Sequence, residues 1–382
     1  MRTDDQPFAD LPAGLVEEVL GQTASVAAEL LSSFQGLRDD RESLRRRLMD
    51  GGIVISESSL GYPPPPTTCG ADGSYAIERL LSTDLAAAAA VAVEGLTPPS
   101  EKRHWELPHH MTFVVAEPHL EDTATILRAV MLGNELLLAT RAPHDLVMID
   151  GTLTLPIIYF NQALNNAPGT AQLKSSHEFL DHCLEYLGAY LKILLSERSD
   201  KNYIALPKYS TRREIGNALG WTAGQDDRGM LSLLLNPGEL TRPRALEQPD
   251  QEWHFSTGQI KSPVKTHVAQ LAEEIVTALG RVQVFYYKPH DWLPALRIEV
   301  SEGVASNAHR LATVVQGLKH QCATPSMLEP YPVYLADRTV KALARAIPAF
   351  RQVTTQRISE QYDGDIGEVF FAMHGYRSDA GR

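Results

Sequence analysis

The sequence predicts an α/β fold, a mixed sheet flanked by helices, with a helical region ahead of it. Three observations carry that expectation. Strand-like runs and amphipathic helical segments are interleaved, without the regular βα alternation of a barrel or a dinucleotide fold. Two late runs, RVQVFYYK and LPALRIEV, flank a Pro-His-Asp-Trp loop and read as an antiparallel hairpin. Residues 11–50 carry helical spacing and no strand pattern.

Taken in order, residues 11–50 place Leu15, Val19, Val26, Leu30, Phe34 and Leu37 at three-, four- and seven-residue spacing, with charges between them. The run ends in Arg45-Arg46-Arg47 before Gly51-Gly52, as a helix C-terminus requires. Ile53–Ser56 reads as a short strand, and Pro63-Pro64-Pro65-Pro66 then leads into a segment around Asp72. Glu78–Val93 and Met111–Val115 continue as strands of a meander, with His104, His109 and His110 in the polar link. Those histidines lack zinc-ligand spacing and read as loop residues. Thr123–Thr140 is a helix carrying Glu135, and Leu146–Asp150 is an apolar strand.

His177–Leu195 is an amphipathic helix with Phe179, Cys183, Tyr186, Leu187, Tyr190 and Leu194 on one stripe. A strand at Tyr203–Leu206 runs into Lys208-Tyr209-Ser210-Thr211-Arg212-Arg213. Beyond the hairpin, Ala305–Cys322 is helical and EPYPVYLADRTVKALARA carries a turn into a helix. The terminal GEVFFAMHGY is either a closing strand or a partner-docking segment through Phe370 and Phe371. The division expected is a helical region at 1–50, a main domain at 51–345 and a C-terminal segment at 346–382.

Composition sets the class. At 382 residues, 43% hydrophobic and 21% charged, the chain is an ordinary globular protein with a large core. Its alanine-rich stretch near Leu81–Val93 is shorter than the ~18 apolar residues a membrane span needs, and MRTDDQPFAD has no apolar signal core. Three cysteines without paired spacing fit a reducing cytoplasm and oppose a zinc ribbon. A net charge of −12 counts against a broad basic nucleic-acid face, though not against a local or enclosed one.

The chemistry-bearing pattern is a repeated Asp-Gly-Ser/Thr step, GADGSY at Asp72 and MIDGTL at Asp150. Two acids at strand ends can meet across a sheet and share a divalent metal, and hard cations take oxygen ligands. That points to a metal-dependent phosphodiester reaction. The plain alternative is that each step is a turn, since Asp-Gly is a common turn dipeptide. The chain has no G-x-G-x-x-G, no P-loop, no G-x-S-x-G and no H-E-x-x-H.

Asp72 in GADGS, Glu135 in a helix, Asp150 in IDGT and Lys208 in LPKYSTRR stand in a fixed order, followed by LLNPGELTRP, VFYYK…LRIEV and EPYPVYLADR. In that order they resemble the NurA nuclease family, over about Cys69 to Lys341. The resemblance implies an RNase H-like core related to the nuclease domain of Argonaute proteins. It implies a manganese-dependent DNA nuclease, with magnesium a second option, that dimerises and works with a HerA-type hexameric translocase in end processing or phage defence. It assigns Asp72, Asp150 and Glu135 as metal-binding acids and Lys208 as the cation that neutralises charge on the phosphate. Lys208, Arg212, Arg213 and Tyr287 then become expected DNA contacts.

One position departs from the family. Where a histidine usually follows the Tyr-Pro pattern, this chain has Asp337, either a metal ligand in an all-oxygen shell or a helix-start cap. Phe285, Tyr286 and Tyr287 either stack on bases or alternate between a buried and an exposed face. Two rival readings stay in view. One is a degenerate clamp for the translocase; the other is an actin- or sugar-kinase-like phosphotransferase, for which a glycine-rich adenosine segment is missing.

Overall fold

The computed structural model describes residues 11–381 except 168, 223–224, 250–251 and 259–264; at 33–34, 36–37 and 376–381 only the backbone is described. It divides into two compact units, Met1–Ile53 and Val54–Arg382. The first holds α1 (Ala13–Gly21) and α2 (Thr23–Asp50), two helices where the periodicity predicts one. The break falls at Gln22, where the Thr23 hydroxyl donates back to the Leu20 carbonyl at 2.6 Å. The predicted stripe is present but does not form a core: Leu15, Val19, Val26 and Leu30 are exposed. The side chains of Phe34 and Leu37 lie outside those described.

The second unit is built on one mixed sheet. Its strands are β1 (Val54–Ser56), β2 (Thr68–Leu80), β3 (Asp84–Glu94), β4 (His109–Glu117), β5 (Leu146–Asp150) and β6 (Asn202–Leu206). Then follow β7 (Glu239–Thr241), β8 (Arg244–Ala245), β9 (Gln283–Lys288), β10 (Leu296–Val300) and β11 (Gly375–Gly381). The main path runs β1-β7-β9-β10-β6-β5-β2-β3-β4, with β11 on β2 and β8 on β9. Among the described strands only β2–β5 and β5–β6 pair in parallel. The helices are α3 (Thr123–Arg141), α4 (Leu155–Asn166), α5 (Lys174–Leu195), α6 (Glu214–Leu219), α7 (Asp227–Leu234) and α8 (Lys265–Leu279). They continue with α9 (Glu302–Ala305), α10 (Ala308–Gln321), α11 (Tyr331–Val340), α12 (Ala342–Ser359) and α13 (Ile366–Ala372).

The two faces are covered by different helices. Arg128 of α3 donates to the Tyr75 hydroxyl, so α3 lies on the face of the odd-numbered β2 residues. On the even-numbered face, Arg351 of α12 pairs with Glu78 at 2.7 Å, and α11 abuts the backbone at Gly70. Leu146, Met148, Ile204, Leu206, Phe285, Ile298 and Val300 form the main core on that second face with Leu311, Val314 and Leu318 of α10. The stripe predicted for α5 is buried throughout, from Phe179 to Leu194.

Several expectations change. Asp72 lies within the long strand β2 rather than at its end, and His109 and His110 open β4 rather than lying in a loop. Phe285, Tyr286 and Tyr287 do alternate faces, but both faces are covered and all three are 0% exposed. GEVFFAMHGY is mostly α13, with Phe370 and Phe371 exposed; the closing strand begins only at Gly375. No helix among the described residues is long and apolar enough to cross a membrane.

Candidate metal centre

The site forms where the sheet's pairing is interrupted. Along one edge of β2, β5 pairs with Thr68–Ala71 and β11 with Tyr75–Leu80. Asp72, Gly73 and Ser74 sit in the gap between these partners. Because Ala71 is opposite Ile149, Asp72 and Asp150 come next in register on neighbouring parallel strands and face the same way. α11 crosses this face and brings Asp337. One carboxylate oxygen from each of Asp72, Asp150 and Asp337 lies within 4.8 Å of the other two. These residues are 3%, 8% and 9% exposed, so the three like charges meet in a poorly hydrated place.

Lys208, just past β6, places its ammonium among them. Its Nζ is 2.9 Å from Asp150, 2.8 Å from Glu329 and 3.9 Å from Asp337. Lys341 binds Asp337 at 2.9 Å. Three clustered carboxylates are costly to hold together in a poorly hydrated place, and a divalent cation would offset their mutual repulsion. An all-oxygen donor set suits manganese or magnesium rather than zinc or copper.

The turn after Asp150 is held from the opposite face. Gly151 has φ +96°, a conformation that glycine adopts without strain. The Thr152 hydroxyl then donates to Glu299 at 2.6 Å, and the Leu153 N–H donates to the same oxygen at 2.9 Å. Glu299 is 1% exposed, and its other oxygen accepts from Arg297 at 3.2 Å. Arg297, fully buried, makes a two-armed bond to Glu214 at 2.7 and 2.8 Å and donates to the Tyr286 hydroxyl at 2.5 Å. Asp227 sits in the same cluster, accepting from the Ile215 and Gly216 N–H groups, each at 2.7 Å.

The predicted residues therefore part company. Asp72, Asp150, Asp337 and Lys208 converge. Asp337 lies inside α11, so it is not a helix-start cap. Glu135 is buried on α3 and lies outside the three-acid group; a Cβ on Gly73 would be 3.1 Å from its Oε2. Tyr287 is excluded as a base contact, because it is 0% exposed and its hydroxyl donates to Glu57 at 2.5 Å. Arg213 is committed to backbone, donating to Trp221, Thr222 and Gln225 carbonyls at 2.6–3.1 Å, and Arg212 donates to the Glu247 carbonyl. Both arginines shape their loop first.

Glu329 and Lys341 escape the sequence reading, as do the Thr152–Glu299–Arg297 supports. Lys341 had a readable signal, an Asp/Lys pair at i,i+4 in one helical run. Glu329 and Glu299 had none, since only tertiary contact sets them apart from other acids.

A family model described as the NurA domain matches residues 66–341. The crystal structure of the NurA nuclease from Sulfolobus solfataricus has TM-score 0.60 and 13% identity, covering 91% of this chain and 98% of that one. A crystal structure of NurA gives 0.52 and 13%, covering 91% and 99%. A crystal structure of NurA with manganese gives 0.51 and 12%, covering 90% and 99%. At such identities the likeness shows a shared fold. No curated protein matches in sequence.

Proposed function

The chain belongs to the NurA family, and on that footing we propose that it is a metal-dependent deoxyribonuclease with manganese, or magnesium, held by Asp72, Asp150 and Asp337. The observation that carries this reading is the convergence of those three buried acids around the Lys208 ammonium. A bound divalent ion supplies Lewis acidity at a phosphoryl oxygen and makes water a competent nucleophile near neutral pH. The chain's own groups do the rest. Lys208, steadied by Glu329, neutralises charge that builds on the scissile phosphate. Glu299 holds the Asp150–Thr152 turn so that the Asp150 carboxylate need not reorganise when a cation arrives. Glu135 is assigned as a further acid of the site from the family resemblance.

The finer parts of the reading come from the family resemblance as well. They are an RNase H-like core at residues 51–345, a homodimer, a HerA-type translocase as partner, DNA ends or phage DNA as targets, and a cytoplasmic setting. An adaptor without activity gains no specific support, since the family's histidine position holds an acid that joins the other two.

The test is cleavage of labelled single- and double-stranded DNA with manganese, with magnesium and with chelator. Asp72→Asn and Asp150→Asn should each lose cleavage by several orders of magnitude while the unfolding temperature holds. Full activity in either variant overturns the assignment.

A further inference from the structure

Tyr209 is 88% exposed, the most exposed large apolar side chain among the described residues. It directly follows Lys208, whose ammonium reaches Asp150. A single exposed aromatic is ordinary by itself. Here the ring stands at a cavity of about 360 Å³ that is lined also by Lys208, Ser210, Thr211, Arg213 and Arg228. A second cavity, of about 180 Å³, shares Lys208 and Arg228 and includes Glu329. Lys208 and Arg228 thus line both cavities, and Lys208 in turn reaches Asp150.

The chemistry of the cavity beside Tyr209 matches one nucleotide. Hydroxyls at Ser210 and Thr211 supply donors for a phosphate, and the Arg213 and Arg228 guanidiniums, largely taken up by backbone carbonyls, add positive charge beside it. The open ring offers an apolar plane for a base. Asp226 is the anionic part of the lining, and one of its oxygens is occupied as the cap of α7, accepting from Gly229 N–H at 2.8 Å. Arg228 is anchored by bonds to the Ala295 and Lys208 carbonyls, which fixes its place between the two cavities.

We propose that Tyr209 stacks on the base of the nucleotide adjoining the phosphate held at the acids, while that nucleotide's backbone follows the Lys208–Arg213 loop. This rests on the nuclease reading above. A base inside a duplex has both faces covered by its neighbours, so the stack requires an unpaired base next to the cut. The enzyme would then favour single strands, or duplex ends that have frayed. Tyr209 takes the role that the sequence offered to Tyr287, and for a simple reason: it is in water and Tyr287 is not.

The experiment is equilibrium binding of single-stranded oligonucleotides bearing 2-aminopurine at successive positions, with calcium replacing manganese so that no strand is cut. Stacking quenches the probe. The wild type should quench it at one position, Tyr209→Phe should retain the quench, and Tyr209→Ala should lose it. Binding by Tyr209→Ala should also weaken about tenfold, ~1.4 kcal/mol at 25 °C, with unfolding temperature unchanged. Equal quenching and affinity in Tyr209→Ala, or no quench in the wild type, overturns the proposal. The nuclease reading fails separately, if manganese supports no cleavage by the wild type or if Asp72→Asn cleaves as well as it does.

Discussion

Asp337 is where a single residue sets the character of the site. Its side chain sits with Asp72 and Asp150 and is tethered by Lys341. If Asp337 is a direct ligand, as proposed, losing it should cost at least what losing an outer partner costs. Asp337→Ala is therefore expected to raise the manganese needed for half-maximal cleavage more than roughly tenfold. Asp337→His should recover part of that loss, because neutral imidazole also ligates manganese. An unshifted manganese titration in Asp337→Ala would make the acid structural. Thr152 allows a finer test of the support behind Asp150. Thr152→Val keeps the shape but removes the donor to Glu299, and should weaken manganese binding about tenfold, read by the spin resonance of the free ion. Thr152→Ser, which keeps the hydroxyl, should bind nearly as the wild type does.

At the scale of elements, the glycines beside Asp72 have a spatial purpose. A Cβ on Gly70 would lie 2.5 Å from the Pro332 carbonyl carbon and 2.6 Å from the Val333 nitrogen, so α11 can seat on β2 only over a bare backbone. Gly70→Ala should push α11 away and cost ~1–3 kcal/mol by urea denaturation. It should also raise the manganese requirement in the manner of Asp337→Ala, and the two changes together should be less than additive, since both act through α11. A Cβ on Gly188 in α5 would meet nothing within 4 Å, so the same substitution there should stabilise by up to ~1 kcal/mol. The contrast separates close approach from a general intolerance of alanine.

Over the whole molecule, two buried groups give acid stability opposite slopes. Burial lowers the His144 pKa from 6.5 to about 4, against the nearby Glu94 charge. The unfolded chain therefore takes up this proton first, and stability is lost as pH falls from 6.5 towards 4. Burial raises the Asp227 pKa from 3.8 to about 6, against its two backbone donors. The folded chain keeps that proton longer, so stability falls as pH rises through the same window. Asp227→Asn should steepen the loss of stability between pH 6 and 4 relative to the wild type, and His144→Gln should flatten or reverse it. Urea midpoints measured against pH, with chelator present, compare the three proteins; parallel profiles would show that neither group is linked to folding.

Much of this was legible in the chain. Period and composition sufficed for the α/β class, strands where β3 and β4 lie, the hairpin of β9 and β10, and the buried stripe of α5, because local geometry repeats in sequence. The β2–β3 turn at residues 81–83 was missed, since Glu78–Val93 reads as one run. The paired Asp-Gly steps nominated Asp72 and Asp150, and the family resemblance added Lys208, Asp337 and Glu135, the last of which lies outside the three-acid group. Burial of Tyr287 was not legible: RVQVFYYK does not say that helices cover both faces of its sheet. Nor was the exposed stripe of α1 and α2, since amphipathic spacing shows that a face could be covered and not whether it is. LRIEV alternates like a half-solvated strand, yet Arg297 and Glu299 are interior because Glu214, Tyr286 and Thr152 satisfy them there. Glu329 gained its place at Lys208 in the same way, through a partner far away in sequence. The sequence by itself determined the fold class, the principal amphipathic elements and which residue types carry chemistry, for these depend on neighbours along the chain. Only the tertiary structure decided which acids share a cation's space and which ring meets water, because charge proximity and burial are set by what folds against each face.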